Sequence, residues 1–73
     1  MSKEIMKNLC NLLVAAYEEG CISLSCCSEK SIHLTEKAFK EMFDSWEVTK
    51  HDEEYDRWYV VEDGFEFFCL VEF

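Results

Sequence analysis

The sequence RWYVVEDGFEFFCLVEF, residues 57–73, consists of two apolar runs separated by Asp63-Gly64. An Asp-Gly pair between apolar runs predicts a β-hairpin, because a type I′ turn needs positive φ at both central residues and Asp and Gly tolerate it. If the turn holds only these two residues, Trp58 is opposite Cys69. The hairpin then determines which side chains share a face of the sheet.

The predicted hairpin has two apolar faces, because successive side chains of a strand point to opposite sides. One face carries Trp58, Val60, Phe65, Phe67, Cys69, Val71 and Phe73. The other carries Tyr59, Val61, Phe68 and Leu70, interrupted by Glu66 and Glu72. One layer of helices therefore cannot cover the whole apolar surface of this hairpin.

Length and composition predict a single small acidic domain over residues 1–73. Apolar residues make up 49% of the chain, which excludes disorder by composition. No apolar run approaches the roughly 20 residues of a membrane span. The start, MSKEIMKNLC, lacks the apolar core and cleavage site of a signal peptide. We therefore expect a cytoplasmic protein without a membrane partner.

The first segment predicts an amphipathic helix over residues 3–19, with Ser2 as N-cap and Gly20 at the C′ position. Apolar residues recur at three- and four-residue spacing, at Ile5, Leu9, Leu12, Leu13 and Ala16. This periodicity is typical of a helix with one buried side. Its width predicts a helix that lies across a sheet.

The middle of the chain predicts strands on either side of a second helix. Residues 21–27 alternate as a half-buried strand, and residues 31–33 form a short extended piece. Thr35 is the predicted N-cap of the second helix, which ends near Asp44. Residues 46–51 form the next strand. The predicted fold class is therefore α+β, an antiparallel sheet of about four strands packed with two helices in the order α-β-α-β-β-β.

The register of the strand at residues 46–51 depends on the length of the acidic loop that follows it. A four-residue loop places Trp46 and Val48 on the face of Tyr59. One more residue in the loop moves them to the face of Trp58, because a one-residue slip inverts every side chain. The sequence leaves both registers open.

Net charge is −9 and is unevenly distributed along the chain. Residues 1–37 contain four lysines and five glutamates, giving −1, whereas residues 38–73 contain three basic and eleven acidic residues, giving −8. Such a surface repels nucleic acid and anionic membranes and favours a basic protein partner. The alternative is that the charge serves solubility alone.

Four soft or borderline metal ligands lie close together in the sequence, at Cys21, Cys26, Cys27 and His33. Zinc binds tetrahedral sets of thiolate and imidazole, and such a site would stabilise a small domain. The usual CxxC spacing is absent, and adjacent cysteines on a regular strand point to opposite faces. Cys10 and Cys69 are candidate replacements. The alternative places Cys26 in the core and leaves Cys27 exposed as a free thiol.

No motif predicts catalysis. The chain has no nucleophile elbow and, with two glycines, no phosphate-binding loop. His51 beside Asp52, Glu53 and Glu54 has the composition of a general base or a divalent-ion site, but a solvated loop explains the same residues. A thiol-dependent enzyme lacks the CxxC or Cys/His motif it would need. We therefore predict a protein that is not an enzyme.

The second face of the hairpin is a candidate docking surface. Its predicted members are Tyr59, Val61, Phe68 and Leu70, with Trp46 in one register, and its predicted rim is Glu47, Glu66 and Glu72. Either the second helix covers this face, or it stays open with the apolar centre and charged rim of a protein interface. A second copy of the chain is another partner that this face suits.

The acidic residues of the second half of the chain are Asp52, Glu53, Glu54, Asp56, Glu62, Asp63, Glu66 and Glu72. In size, charge and architecture the chain resembles the small acidic phage-encoded anti-CRISPR proteins, especially those that inhibit Cas9. The resemblance implies stoichiometric inhibition, in which an acidic surface occupies a positively charged nucleic-acid channel and blocks DNA or guide RNA loading. The residues predicted to bind the partner are Asp52, Glu53, Glu54, Asp56, Tyr59, Glu66 and Phe68. The alternative function is a small zinc-stabilised structural or adaptor domain that binds a basic protein.

Overall fold

The Asp63-Gly64 turn forms as predicted. The computed structural model describes residues 2–25 and 29–73, and it has positive φ at both turn residues, 53° at Asp63 and 80° at Gly64. The two strands that it joins, Tyr55–Glu62 and Phe65–Glu72, pair antiparallel along their whole length, with Trp58 opposite Cys69. The predicted register of the hairpin is therefore confirmed.

The hairpin lies within a five-stranded mixed sheet. In chain order the elements are α1 (Lys3–Glu18), β1 (Cys21–Ser25), β2 (Ser31–Leu34), α2 (Glu36–Met42), β3 (Glu47–Lys50), β4 (Tyr55–Glu62) and β5 (Phe65–Glu72). The strands lie in the order β1-β2-β5-β4-β3. The fold is α+β, as predicted.

The predicted four-strand antiparallel sheet is wrong in one respect, because the short piece at 31–33 is a full strand. β2 pairs antiparallel with β1 and parallel with β5, with Ile32 beside Phe67. β2 therefore lies between β1 and β5 and joins β1 to the hairpin in one sheet. A four-residue strand is too short for a periodic pattern, and its parallel pairing depends on residues more than thirty positions away.

The register of β3 places Val48 on the same face of the sheet as Trp58. Val48 is opposite Trp58, and Lys50 is opposite Asp56, so five residues, 51–55, lie between the last paired residues of the two strands. The longer of the two predicted loops is therefore the one that forms. Trp46, just before β3, stacks on Trp58 with ring centroids 4.9 Å apart.

α2 covers one face of the sheet. Thr35 caps it as predicted, because its hydroxyl oxygen accepts a hydrogen bond of 3.1 Å from the Ala38 N–H. The core is formed by Leu34, Ala38, Phe39 and Cys69, packed against aromatic and aliphatic side chains of β2, β4 and β5. Phe39 is fully buried and makes an edge contact with Trp46 at 5.3 Å. The helix ends at Met42 rather than near Asp44, because Phe43 turns to an extended conformation and packs on Phe67.

α1 does not lie across the sheet, so that prediction is wrong. The helix forms where predicted, with the Ser2 hydroxyl accepting from the Ile5 N–H at 3.2 Å, but it buries none of its residues and packs mainly on the edge strand β1. Gly20 follows the helix with φ of 110°, and its carbonyl oxygen accepts a hydrogen bond from the Thr35 N–H. This bond holds the carboxyl end of α1 at that edge of the sheet. Within residues 2–25 and 29–73, neither helix has both the length and the apolar composition that crossing a membrane requires.

We predict that Gly20→Ala destabilises the fold far more than Gly64→Ala. A methyl group at position 20 would lie 2.7 Å from Ala38 Cβ and 2.9 Å from Thr35 Oγ1, in a backbone conformation that only glycine adopts freely. At position 64 nothing lies within 4 Å, so only backbone strain remains. We expect losses of about 2 to 4 kcal/mol and about 1 kcal/mol respectively, measured by urea unfolding. Equal losses would contradict the close approach of α2 to Gly20.

Candidate functional site

The face of the sheet opposite α2 is not covered by either helix in the part of the chain that the structure describes. We call it the open face, and its side chains are His33, Tyr55, Arg57, Tyr59, Val61, Glu66, Phe68 and Leu70. Alternation along β4 and β5 places them there, because their neighbours in sequence form the core under α2. Val61 is 66% exposed, and most of the others are half-buried against one another.

Three planar groups form a row across the open face. Phe68, on β5, has the His33 ring stacked on it at 4.5 Å and 13° between ring planes. The Arg57 guanidinium lies over the same ring, 3.6 Å from its centroid. His33 and Arg57 belong to β2 and β4, which flank β5, so they approach Phe68 from either side. The row is a stack of two aromatic rings and one guanidinium, and it carries one positive charge.

An ion pair fixes the orientation of Arg57. Its Nε donates to Glu66 Oε1 at 3.2 Å, and both side chains are partly shielded from solvent. Stacking on Phe68 and bonding to Glu66 together hold the guanidinium against the Phe68 ring. The charge of the Glu66 carboxylate is thereby compensated by Arg57, so the negative charge near the open face comes from the residues that surround this ion pair.

Partial burial lowers the pKa of His33 below its usual 6.5, and the charges of Arg57 and His51 lower it further. Burial and a nearby cation both disfavour the imidazolium. His33 is therefore neutral at pH 7, and its ring stacks on Phe68 without adding a second positive charge to the open face.

The acidic loop between β3 and β4 has a defined shape. Asp52 Oδ1 accepts hydrogen bonds from the backbone N–H groups of Glu54 at 2.8 Å and Tyr55 at 2.9 Å. These two bonds lower the pKa of Asp52, so its carboxylate stays ionised in moderately acidic solution. The loop thus presents Glu53 and Glu54 to solvent at one end of the sheet. Glu72, opposite Tyr55, extends the acidic rim there.

The predicted partner-binding residues fall in three places. Tyr59, Glu66 and Phe68 lie together on the open face, and the acidic residues 52–54 form the adjacent loop. Asp56 is opposite Val71 and therefore lies on the face that carries α2, away from Tyr59, Glu66 and Phe68.

Three other side chains change the predicted docking surface. Trp46 is not part of it, because it packs against Phe39 and Trp58 under the helix. Arg57 and His33 are functional candidates that the sequence reasoning missed. Arg57 lies two residues before Tyr59 on β4, so the alternation of side chains along a strand could have placed it on the same face. For His33 no local pattern indicated that it would meet Phe68.

The predicted zinc ligands do not converge where the structure describes them. Cys21 packs against the core beneath α2, whereas His33 stacks on the open face, so the sheet separates them. Cys26 and Cys27 lie outside the described residues. In residues 2–25 and 29–73, no group of three or more His, Cys, Asp or Glu side chains is arranged to hold a metal ion. Zinc binding through Cys26 and Cys27 stays a prediction.

The two candidate replacement cysteines occupy unlike positions. Cys10 is exposed on α1, and Cys69 is fully buried under Phe39. Burial raises the pKa of the Cys69 thiol to about 11. A protonated, enclosed thiol is a core residue and is poorly suited to attack a substrate or to bind a metal.

We predict that His33→Gln weakens the dependence of stability on pH between about pH 7.5 and about pH 5.5. The folded state disfavours protonation of His33, so the unfolded state binds more protons as pH falls through 6.5, and stability is lost in that range. The melting temperature of the wild-type chain should therefore fall more steeply with acid than that of the variant. His51→Gln, which retains His33, is the control and should still lose stability over this range. Parallel curves for wild type and His33→Gln would contradict the prediction.

Comparison of the chain with models of protein families, with curated proteins and with solved structures found no match in any of the three. The function of the chain is therefore inferred from the structure of the molecule itself. Its two distinctive features are the uncovered face around Phe68 and the ordered acidic loop at residues 52–54.

Proposed function

We propose that this chain is a non-catalytic binding protein that holds a basic surface of a protein partner against its open face and acidic loop. The observation that carries this proposal is the open face of the sheet, where Phe68, Arg57 and His33 form a preassembled stack that neither helix covers among the described residues. A small domain gains stability by covering such side chains, and this chain places its α2 on the other side.

The composition of the open face favours a protein as the partner. Its centre is aromatic and aliphatic, with Tyr59 and Val61 beside Phe68, and the Arg57 cation there is already paired with Glu66. Protein interfaces are enriched in Tyr, Phe and Arg at their centre and are polar at the rim. Stacking and ion pairing restrain these side chains before binding, which lowers the entropy that a complex loses on ordering them.

The charge around the open face favours a basic partner. Residues 38–73 carry −8 of the net charge of −9, and residues 52–54 concentrate three carboxylates in one loop. Carboxylates at a rim raise the association rate with a positively charged protein and make it sensitive to salt. The same field repels the phosphate backbone of nucleic acids and anionic lipid surfaces.

The class of partner we propose is a CRISPR effector such as Cas9, in keeping with the resemblance to anti-CRISPR proteins. Such effectors hold nucleic acid in positively charged channels. An acidic protein bound there would block DNA or guide RNA loading by occupying the channel, in the cytoplasm of the bacterial host. Inhibition would be stoichiometric, and it would need no catalytic group of this chain.

Charge reversal in the loop tests the electrostatic part of this proposal. We expect Glu53→Lys with Glu54→Lys to weaken binding to Cas9 by about tenfold or more at low salt, mainly through slower association. The matched control is Glu4→Lys with Asp44→Lys, which changes the net charge equally at exposed positions away from the loop. Surface plasmon resonance over a salt series measures both pairs of substitutions.

The control pair should retain most of the affinity of the wild-type chain. Equal losses in the two double variants would mean that net charge alone acts, and would contradict a role for the loop. No detectable binding of the wild-type chain to Cas9, with or without guide RNA, would overturn the choice of partner.

Two exposed valines on opposite faces of the sheet test the contact surface. Val61, on the open face, is 66% exposed, and Val48, on the face that carries α2, is 56% exposed. We expect Val61→Lys to weaken partner binding at least roughly tenfold, since it places a cation against a basic surface, and Val48→Lys to leave it nearly unchanged. Circular dichroism checks that both variants fold. A loss of binding in Val48→Lys alone would place the interface on the other face.

A further inference from the structure

α1 leaves the amino-terminal part of its apolar stripe exposed among the described residues. Leu12 is 69% exposed, Ile5 is 59% exposed and Leu9 is 42% exposed. The helix supplies six of the twelve large apolar side chains that are exposed among the described residues, yet none of its residues is buried. A stripe of this kind on a soluble helix is typically covered by another element.

The dimensions of the molecule show that it is more extended than a compact chain of its length. The radius of gyration is 13.7 Å, whereas a compact chain of this length has about 11 Å. The accessible surface is 5738 Å², whereas a compact monomer of 8.7 kDa exposes about 4,700 Å². The excess, about 1,000 Å², matches the roughly 800 Å² that each partner buries in a standard protein interface.

The stripe has the spacing of a coiled-coil seam. Its residues Ile5, Leu9, Leu12 and Ala16 are separated by four, three and four positions, which is the spacing of alternating a and d sites in a heptad. The charged residues Lys3, Lys7 and Glu18 project from the opposite side of the helix at 100° per residue. Two such helices can therefore pack along the stripe without burying a charge.

A groove continues from this stripe. It lies between the carboxyl-terminal half of α1 and α2, over β1 and β2, and has a volume of about 330 Å³. Leu13, Leu24, Ile32 and Met42 are among its predominantly apolar lining. A groove of this volume and lining can take up apolar side chains of a second helix lying beside α1.

We propose that two copies of this chain associate through α1 as an antiparallel pair. In this arrangement Leu9 packs against the partner's Leu12, and Ile5 against the partner's Ala16. The amino-terminal half of each helix then covers the groove of the other copy. The contact is isologous, so one two-fold axis between residues 10 and 11 generates both halves.

The charges of α1 favour the antiparallel orientation. Lys3 and Lys7 lie towards its amino end, and Glu18 and Glu19 lie at its carboxyl end. Two carboxylates at the negative end of a helix dipole are unfavourable in an isolated helix. Antiparallel packing brings the positive end of the partner's helix beside them, whereas parallel packing would bring four carboxylates together.

This dimer is independent of the proposed partner binding. The groove lies on the α2 side of the sheet, and the open face lies on the other. Leu12 and Val61 can therefore be changed separately, and failure of one proposal does not entail failure of the other.

Sedimentation equilibrium of the full chain tests the dimer. The wild-type chain should sediment at twice the monomer mass in the micromolar range, and Leu12→Glu should raise the dimer dissociation constant at least about 100-fold, because each dimer then buries two unpaired charges. The matched control is Val14→Glu, an exposed position on the opposite side of the same helix, which should remain dimeric.

Far-UV circular dichroism distinguishes dissociation from unfolding, because the β-sheet signal should persist in Leu12→Glu. A wild-type chain that is monomeric up to high micromolar concentration would overturn the proposal and leave the stripe to another occupant. Dimerisation that survives Leu12→Glu but is lost in Val14→Glu would overturn the assignment of the seam.

Discussion

The positive φ angles of Asp63 and Gly64 are the constraint on which the rest of the structure depends. A two-residue turn permits a single register between β4 and β5, and this register sorts the side chains of the two central strands onto opposite faces. Trp58 and Cys69 go to one face, and Tyr59 and Phe68 go to the other. A bulge or a longer turn would mix the two sets, because a slip of one residue inverts a strand.

The chain has too little helix to cover both sets. α2 has seven residues, and its fully buried Phe39 contacts Trp58 and Trp46 on one face. α1 is longer, but the Gly20 connection holds its carboxyl end at the edge of the sheet next to β1. The open face is therefore stabilised by its own contacts. Stacking of Arg57 on Phe68 and the bond from Arg57 to Glu66 shield part of the aromatic surface without a covering element.

Features that depend on neighbouring residues could be predicted from the sequence, and features that depend on distant ones could not. The caps at Ser2 and Thr35 and the turn at Asp63 each follow from a few adjacent residues, and all three formed. The parallel pairing of β2 with β5 joins segments far apart in sequence, and no local pattern specifies it.

The position of α1 was mispredicted because an apolar stripe shows that a helix needs a cover but not which surface supplies it. The candidate site, too, was predictable from the sequence only where it depends on neighbouring residues. Alternation along β4 and β5 was sufficient to group Tyr59 with Phe68, because the hairpin is local. The row of His33, Phe68 and Arg57 requires three adjacent strands, so it appears only in the folded molecule.

The open face and the groove beside α1 lie on different sides of the sheet, so both can be occupied at the same time. A dimer formed through α1 places its contact on the α2 side, so it carries two open faces that remain accessible together. A partner with two basic sites within reach, or two linked partner molecules, would then be bound at both faces by one particle. The second contact forms within the complex, where the effective concentration is high, so weak single contacts produce a stable complex.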